Sequence, residues 1–260
     1  MSENVQAAHT PEKSGAVNEI VEIVKTVVYA LLIALFLRVI FFQPFTIPSA
    51  SMEPNLYQGD YIIVSKYTYG YSRHSIPFSP RIFPGRILEN VPQRGDIVVF
   101  KLPSDGHTDY VKRVIGLPGD RIQMKDGLLF INGQQVKRDS LGTKREESSF
   151  GAARDVTVYR ETLPGGRTYV TNDYGTDGDL DNTETFVVPE KHYFMMGDNR
   201  DNSSDSRVAP EMQGVGYVPA ENLVGKAQII LLSWYPGASI FKPWTWFLDA
   251  RPSRFFHALK

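Results

Sequence analysis

The chain has 260 residues, of which 42% are hydrophobic and 22% charged, and this ordinary composition excludes intrinsic disorder as its main feature. Its 28 Lys and Arg against 29 Asp and Glu give a formal net charge of −1, so no global positive field attracts nucleic acid, and none is expected as a partner. The absence of Cys excludes disulfides, thiol nucleophiles and Cys-ligated zinc.

The first segment with a clear structural signal is apolar and lies near the N-terminus. Residues 26–37 read TVVYALLIALFL without a charge, and four further apolar residues follow Arg38. A bilayer core of about 30 Å needs roughly 20 helical residues. We therefore predict one transmembrane helix over residues 20–42, preceded by a polar tail over residues 1–19.

The alternatives for this segment are a cleaved signal peptide and a buried helix. A signal peptide ends at a small-residue site of the A-x-A kind, whereas this segment continues as FFQPF over 41–45. An uncleaved anchor is therefore favoured. Lys13 and Lys25 on the N-terminal flank, against Arg38 on the other, weakly favour an N-terminus inside the cell and a large C-terminal part outside.

From residue 43 onward, turn residues alternate with short β-branched and aromatic runs, which is typical of a mainly β fold. Gly59-Asp60 precedes YIIV, and Asn132-Gly133 between LLFI and QQV is a strong hairpin signal. We predict an antiparallel β-sheet domain formed by residues 43–124 and 192–260. Residues 125–191 are richer in Gly, Asp, Thr and Arg, and we predict that they form an inserted β-rich subdomain.

Candidate catalytic residues are scarce among the usual types. The five His residues form no recognised motif, since neither H-E-x-x-H nor G-x-S-x-G occurs. Directly after the anchor, however, Ser49 and Ser51 lie between Pro48 and Pro54, and proline restricts the backbone on both sides. Either Ser is a candidate nucleophile if a base is near.

With no suitable His or Cys, the remaining candidate base is a Lys that burial makes neutral, because burial lowers the pKa of Lys by several units. Lys112 shares a predicted strand face with Tyr110 and Val114. Lys101, however, lies equally well on an apolar strand, IVVFKL over 97–102. Spacing alone does not choose between the two lysines.

Four segments, in this order, resemble the motifs of bacterial type I signal peptidases, also called leader peptidases. Residues 48–54 (PSASMEP) correspond to the nucleophile box P-S-x-S-M-x-P, and residues 94–100 (RGDIVVF) to an R-G-D-[IV]-V-x-F strand. Residues 110–120 (YVKRVIGLPGD) are similar to the base-bearing box, and residues 197–207 (GDNRDNSSDSR) match G-D-N-R-D-N-S-x-D-S-R at every specified position. Four motifs in order behind an anchor make the resemblance specific.

The resemblance implies a role for each matched residue. Ser51 is expected as the nucleophile and Lys112 as the general base, with the Ser49 hydroxyl and the Ser51 N–H as oxyanion donors and Ser203 orienting the Lys112 amine. Lys101 is then an ordinary strand residue. The scaffold charges around the site are Arg113, Asp198, Asp205 and Arg207. The residues expected in or near shallow pockets for small substrate side chains are Phe45, Ile47, Pro48, Met52, Leu56, Tyr110, Val111 and Ser204.

The implied activity is that of a membrane-anchored serine endopeptidase that removes signal peptides from exported preproteins after small residues, at A-x-A sites, through an acyl-enzyme and without a metal or cofactor. The expected partners are those signal peptides, the lipid bilayer and, as a further candidate, the protein translocation machinery. The expected location is the bacterial cytoplasmic (inner) membrane, single-pass, with the catalytic domain on the extracytoplasmic, periplasmic side. Ser51 lies nine residues after Phe42, at most about 30 Å of extended chain, which places the reaction near the bilayer surface.

Some alternatives stay open at this point. Many family members have Gly between the two Ser, and Ala50 is disfavoured there if the backbone needs a positive φ. The C-terminal segment, with all three Trp, either contacts lipid headgroups or completes a core. The rival functions are a soluble Ser–Lys self-cleaving protein of the SOS-repressor type, against which the anchor argues, and a non-catalytic anchored platform that needs neither Ser51 nor Lys112.

Overall fold

The structure is a computed structural model that describes residues 13–147, 153–238, 242 and 244–259. The chain divides into two compact units, Met1–Arg38 and Val39–Lys260. The first twelve residues of the predicted polar tail lie outside the described residues.

The N-terminal helix, α1, runs over Lys13–Ile40, so it begins before the predicted start of the span at residue 20. Within it, Asn18–Ile40 is long and apolar enough to cross a membrane. Side chains are exposed from residue 18 to residue 38. A helix that is apolar on every face and exposed is typical of a lipid-facing span. The helix ends at residue 40, not 42, because Phe42 begins a strand and pairs with Ser65.

The second unit is built mainly from short strands. In chain order these are β1 (Phe42–Thr46), β2 (Asp60–Ser65), β3 (Tyr71–Ser72), β4 (Arg86–Ile87), β5 (Ile97–Lys101), β6 (Asp109–Gly116), β7 (Arg121–Lys125), β8 (Leu128–Ile131), β9 (Gln134–Gln135), β10 (Lys137–Glu147), β11 (Ala153–Thr162), β12 (Thr168–Asp173), β13 (Phe186–Val187), β14 (His192–Met196), β15 (Val218–Pro219), β16 (Leu223–Ser233) and β17 (His257–Ala258). A short helix, α2, spans Thr245–Leu248. The named strands pair antiparallel, which confirms the predicted fold class.

The main sheet has the order β1-β2-β16-β5-β6-β14-β15, and β17 pairs with β16. Strand β6 lies inside this sheet, with Val98 of β5 opposite Lys112 and Met196 of β14 opposite Arg113. Strand β1 is four positions away from β6, a separation of about 19 Å in a flat sheet. The two strands nevertheless line one cleft, as shown below, so the sheet curls back on itself.

Two smaller sheets occupy most of residues 121–187. One has the order β10-β11-β12 and the other β13-β7-β8-β9. The second sheet includes β7, so it begins four residues before the predicted boundary at residue 125; that residues 125–191 form a separate subdomain stays a prediction. The Asn132-Gly133 hairpin is confirmed, since Ile131 pairs with Gln134 and both turn residues have a positive φ.

The core beneath the first sequence motif is apolar and closed to water. Ile47, Met52 and Leu56 are buried in one cluster with Val99 of β5 and Ile230 of β16. Burying each such side chain stabilises the fold by roughly 1.5–3 kcal/mol. The segment that carries Ser51 is therefore fixed to the sheet at several points.

Candidate active site

The segment after β1 makes a tight turn that presents Ser51. The Glu53 N–H donates to the Ala50 carbonyl at 3.1 Å, and the Leu56 N–H donates to the Met52 carbonyl at 2.9 Å. Ser51 is 8% exposed, whereas Met52 beside it is fully buried. Ala50 is not among the residues with a positive φ, so its Cβ causes no backbone strain at this position.

Lys112 of β6 meets this turn. Its Nζ lies 2.6 Å from the Ser51 Oγ, and the side chain is 3% exposed. Burial lowers the pKa of Lys112 from its ordinary 10.5 to about 8, although the carboxylates of Asp205 and Asp198 favour the charged form. Lys101 instead pairs with Asp109 at 2.9 Å. Of the two lysines between which spacing left the choice of base open, Lys112 is the one that contacts Ser51.

Ser51 and Lys112 lie in the wall of an open cleft of about 420 Å³. Six of the eight predicted substrate-contacting residues line it: Phe45, Ile47, Pro48, Tyr110, Val111 and Ser204. Met52 and Leu56 do not line the cleft, because they point into the core beneath the turn. Ser49 also lines it, and its Oγ is 3.4 Å from the Ser51 Oγ.

The residue after Lys112 ties three segments of the site together. Arg113 donates to both carboxylate oxygens of Asp198, from Nε at 2.7 Å and from Nη2 at 2.8 Å, and its Nη1 donates to the Gly95 carbonyl at 2.7 Å. Asp198 also accepts from the Asn55 Nδ2 at 2.7 Å, and this nitrogen lies 2.6 Å from the Val170 carbonyl. Arg113 and Asp198 are each 1% exposed. Such a bidentate pair fixes both partners in one plane.

A second buried pair lies in the fourth motif. Arg207 donates from Nε and Nη2 to the Asp205 carboxylate, both at 2.9 Å, and Nη2 also donates to the Arg200 carbonyl at 2.6 Å. The same carboxylate accepts from the Gly197 N–H at 3.0 Å. The four predicted scaffold charges therefore form two buried ion pairs, and Asp198, Asp205 and Arg207 act electrostatically on Lys112.

Ser203 is buried close to the nucleophile turn. A Cβ placed on Gly197 would lie 2.2 Å from the Ser203 Oγ and 2.5 Å from the Ser51 carbonyl oxygen, so only glycine fits between them. The Ser203 Oγ forms no hydrogen bond with any residue that the structure describes. The bond to Lys112 that the resemblance implies is therefore not formed here.

Sequence reasoning missed a clamp on the nucleophile turn. The Asn199 N–H donates to the Ser51 carbonyl at 3.1 Å, and its Nδ2 donates to the Ala50 carbonyl at 3.3 Å and to the Tyr174 hydroxyl at 3.0 Å. The guanidinium of Arg154 lies 3.8 Å from the centre of the Tyr174 ring. Asn199 stands inside the fourth motif, which could have signalled it. Tyr174 lies in the 125–191 segment, where no motif matched.

No metal centre is evident in this region. Within the described ranges, no group of three or more His, Cys, Asp or Glu residues is arranged to hold a metal ion. The chemistry that the described side chains offer is nucleophilic attack by a serine hydroxyl beside a buried amine, at the wall of a shallow apolar cleft. This arrangement is that of a serine peptidase.

Comparison with known proteins gives the family. The model of the family described as "Signal peptidase, peptidase S26" matches residues 20–234. The chain belongs to this family of serine endopeptidases, which remove signal peptides.

Two relatives and one solved structure illustrate the similarity. Signal peptidase I of Rickettsia canadensis (strain McKiel) is 43% identical over 217 residues, covering 80% of this chain and 78% of the relative. Signal peptidase I of Rickettsia typhi (strain Wilmington) is 40% identical over 248 residues, covering 89% of this chain and 90% of the relative. A signal peptidase I structure from Enterococcus faecalis V583 covers 53% of this chain and 97% of its own at 26% identity, with a TM-score of 0.30, which is too low to bear on the fold.

Proposed function

We propose that this protein is a membrane-anchored signal peptidase that uses Ser51 as its nucleophile and neutral Lys112 as its general base. The observation that carries the proposal is the 2.6 Å separation of the Lys112 Nζ and the Ser51 Oγ in a site that excludes water from the amine. A pKa of about 8 leaves roughly a tenth of the lysines neutral at pH 7. An ordinary lysine would be neutral in fewer than about one molecule in a thousand.

The reaction follows from this geometry. Neutral Lys112 accepts the hydroxyl proton of Ser51 while the Oγ attacks the scissile carbonyl carbon. The Ser51 N–H and the Ser49 hydroxyl donate to the developing oxyanion. As the C–N bond breaks, Lys112 returns the proton to the leaving amine, and an acyl-enzyme ester remains. Lys112 then accepts a proton from water, whose oxygen attacks the ester carbonyl. As the ester C–O bond breaks, Lys112 gives this proton to the Ser51 Oγ, and the product acid leaves with the neutral amine restored.

Ser203 is proposed to orient the Lys112 amine. Its hydroxyl is buried beside the nucleophile turn and makes no hydrogen bond among the described residues. A buried hydroxyl is costly to leave unbonded, and the Lys112 amine is the partner that we propose for it. This bond would aim the lone pair of Lys112 at the Ser51 hydroxyl proton.

Specificity for small residues at A-x-A sites is supported by the shape of the cleft. Its apolar lining comes from β1 and the residues directly after it, from β2, β5 and β6, and the cleft of about 420 Å³ is open to solvent. Alanine methyl groups fit shallow apolar depressions, whereas a larger side chain would have to displace Ile47 or Val111. Ser204 lies at the exposed edge, where its Oγ donates to the Gln213 carbonyl at 3.1 Å.

Anchoring through Asn18–Ile40 would hold the cleft near the membrane surface, because only ten residues separate Ile40 from Ser51. The flanking lysines favour an extracytoplasmic catalytic unit, and the bacterial cytoplasmic membrane is the proposed location. The proposed substrates are preproteins whose signal peptides are embedded in the same bilayer. Delivery by the translocation machinery is compatible with this arrangement.

The test is cleavage in trans of a preprotein with an A-x-A site by the full chain in lipid vesicles. We expect Ser51→Ala and Lys112→Met each to reduce kcat/KM by at least about a thousandfold. Lys101→Met, which removes the other strand lysine, should change it by less than about threefold. Replacing the two alanines of the site with leucine should abolish cutting at that bond.

The rival functions give other results. A non-catalytic platform predicts no cleavage and equal behaviour of wild type, Ser51→Ala and Lys112→Met in any assay. A self-cleaving protein predicts cleavage of its own chain and none of the added preprotein. Full activity of Lys112→Met would exclude this lysine as the base even if Ser51 proved essential.

A further inference from the structure

A proline-rich loop far from the sequence motifs is strongly apolar. Residues 76–88 read IPFSPRIFPGRIL, with six large apolar residues, two arginines and no acidic residue. This segment, the 76–88 loop, contains most of the connection from β3 to β4, the strand β4 itself and Leu88 after it, and the pairs Tyr71–Ile87 and Ser72–Arg86 close its base. Nothing in the proposed peptidase chemistry uses it.

The loop exposes several of its large apolar side chains to solvent. Phe78 is 99% exposed, Leu88 74% and Ile82 66%. Phe78 and Leu88 also have φ angles of 65° and 55°, in the left-handed region that bulky side chains rarely adopt. Apolar exposure concentrated in one short segment is typical of a surface that meets another apolar phase.

The base of the loop is held by several hydrogen bonds. The Arg86 guanidinium donates to the carbonyls of Tyr69, Gly70, Ala220 and Leu223, at 2.7 to 3.1 Å. The buried amine of Lys66 donates to the Ser75 carbonyl at 2.6 Å. Phe78 and Leu88, the two residues with positive φ angles, are therefore held by a hydrogen-bonded base. The exposed part of the loop is not the frayed end of a strand.

The loop is also tied to the residue at which the candidate membrane span ends. The Tyr71 hydroxyl donates to the Ile40 carbonyl at 2.9 Å, and both residues belong to the second unit. Close to this exit, the exposed rings of Phe42 and Tyr67 pack edge to face at 5.7 Å. The strand that begins the loop therefore adjoins the point where the chain leaves the span.

We propose that the 76–88 loop inserts Phe78, Ile82 and Leu88 into the interface of the bilayer that α1 crosses. Exposed Arg81, between these side chains in the chain, would lie at the level of the lipid phosphates, an arrangement typical of interfacial membrane contacts. The proposal rests on the anchoring proposed above and adds a second, separate attachment. Two attachments would restrict the tilt of the catalytic unit relative to the membrane plane, and so the angle at which the cleft faces the bilayer.

The absence of Cys permits a direct test on the full chain. Single variants Phe78→Cys, Ile82→Cys and Leu88→Cys are labelled with an environment-sensitive fluorophore and reconstituted in phosphatidylcholine–phosphatidylglycerol vesicles that carry shallow doxyl-lipid quenchers. Met212→Cys is the matched control, since Met212 is 75% exposed and lies on a different surface turn. We expect blue-shifted emission and at least about twofold quenching at positions 78, 82 and 88, and neither at 212.

Each outcome decides the proposal. Labels at 78, 82 and 88 that emit and quench like the label at 212 would overturn it. A blue shift that grows with the protein-to-lipid ratio and is not accompanied by lipid quenching would also overturn the proposal. It would indicate contact between two copies of the chain. Arg81→Gln should reduce quenching in anionic vesicles and leave it unchanged in pure phosphatidylcholine.

The same samples separate this inference from the proposed function. Preprotein cleavage by the labelled variants reports on the Ser–Lys chemistry, and resistance of vesicle binding to an alkaline wash reports on the anchor. An active, wash-resistant protein with an unquenched loop would refute the loop contact alone. Release by the wash would refute the anchor on which the inference rests.

Discussion

The buried amine of Lys112 makes a quantitative prediction for Lys112→Met, which keeps the length of the side chain and removes its charge. The pKa is about 8 in the folded protein, against an ordinary 10.5 in the unfolded chain. The difference of 2.5 units corresponds to about 3 kcal/mol of penalty for burying the charged form. Methionine avoids this penalty but loses the bond to Ser51, which contributes about 1 kcal/mol. At pH 7 the variant should therefore be more stable than wild type by about 2 kcal/mol.

The sign of the pH dependence follows from proton binding. Between pH 8 and 10.5 the unfolded chain binds more protons at this site than the folded protein does, so wild-type stability rises with pH through that window. Below pH 8 the penalty is fully present. The advantage of Lys112→Met should therefore shrink above pH 8 and change sign near pH 10, where the remaining burial penalty no longer exceeds the contribution of the lost hydrogen bond.

The assay is denaturant unfolding of the full chain in mild detergent at pH 7, 8.5 and 10, followed by Trp fluorescence, since all three Trp lie in the second unit. Lys101→Met is the control, because that lysine is partly exposed and paired with Asp109. A free-energy difference between Lys112→Met and wild type that stays constant from pH 7 to 10 would refute the reasoning. The amine would then titrate at its ordinary value, and too little of it would be neutral to act as a base.

Three further predictions follow from the site. In wild type, kcat/KM should rise about tenfold per pH unit up to a midpoint near pH 8 and then level off, and a flat profile from pH 6 to 9 would contradict a titrating base. Gly197→Ala should lower kcat at least about tenfold with little change in KM, because the added Cβ displaces the Ser51 carbonyl or the Ser203 hydroxyl; unchanged kcat would refute this packing. Arg113→Lys should cost about 3–5 kcal/mol in thermal or denaturant unfolding, since an ammonium cannot replace the fork that binds Asp198, and a loss below about 1 kcal/mol would contradict it.

The parts of the fold that the sequence predicted are those governed by local chemistry. The Asn132-Gly133 hairpin follows from turn residues that accept positive φ, and both adopt it. Alternation along residues 110–114 predicted a strand with Lys112 and Val114 on one face, and β6 contains them. The apolar run of 26–37 predicted a long helix for the same reason, since its signal lies within the segment itself.

The parts that could not be predicted depend on pairing across long separations. Lys101 and Lys112 are equivalent by pattern, and only the curl of the sheet brings Lys112 to a turn 61 residues earlier. Met52 was expected in or near the substrate pockets; it is buried beneath the turn beside apolar side chains that also line the cleft, and this burial depends on β2, β5 and β16, which are distant in the chain. The clamp from Asn199 to Ser51 likewise depends on strands that are distant in the chain.

The charges around Lys112 explain how an amine stays near neutrality beside two carboxylates. Unpaired Asp198 and Asp205 would both stabilise an ammonium and hold the pKa of Lys112 high. Each is instead bound to an arginine of its own, Arg113 or Arg207, and each pair is nearly neutral as a unit. Burial is then the largest effect on Lys112, and its pKa falls. The two ion pairs that join the strands of the site therefore also keep part of the Lys112 amine neutral, the form in which it can act as a base.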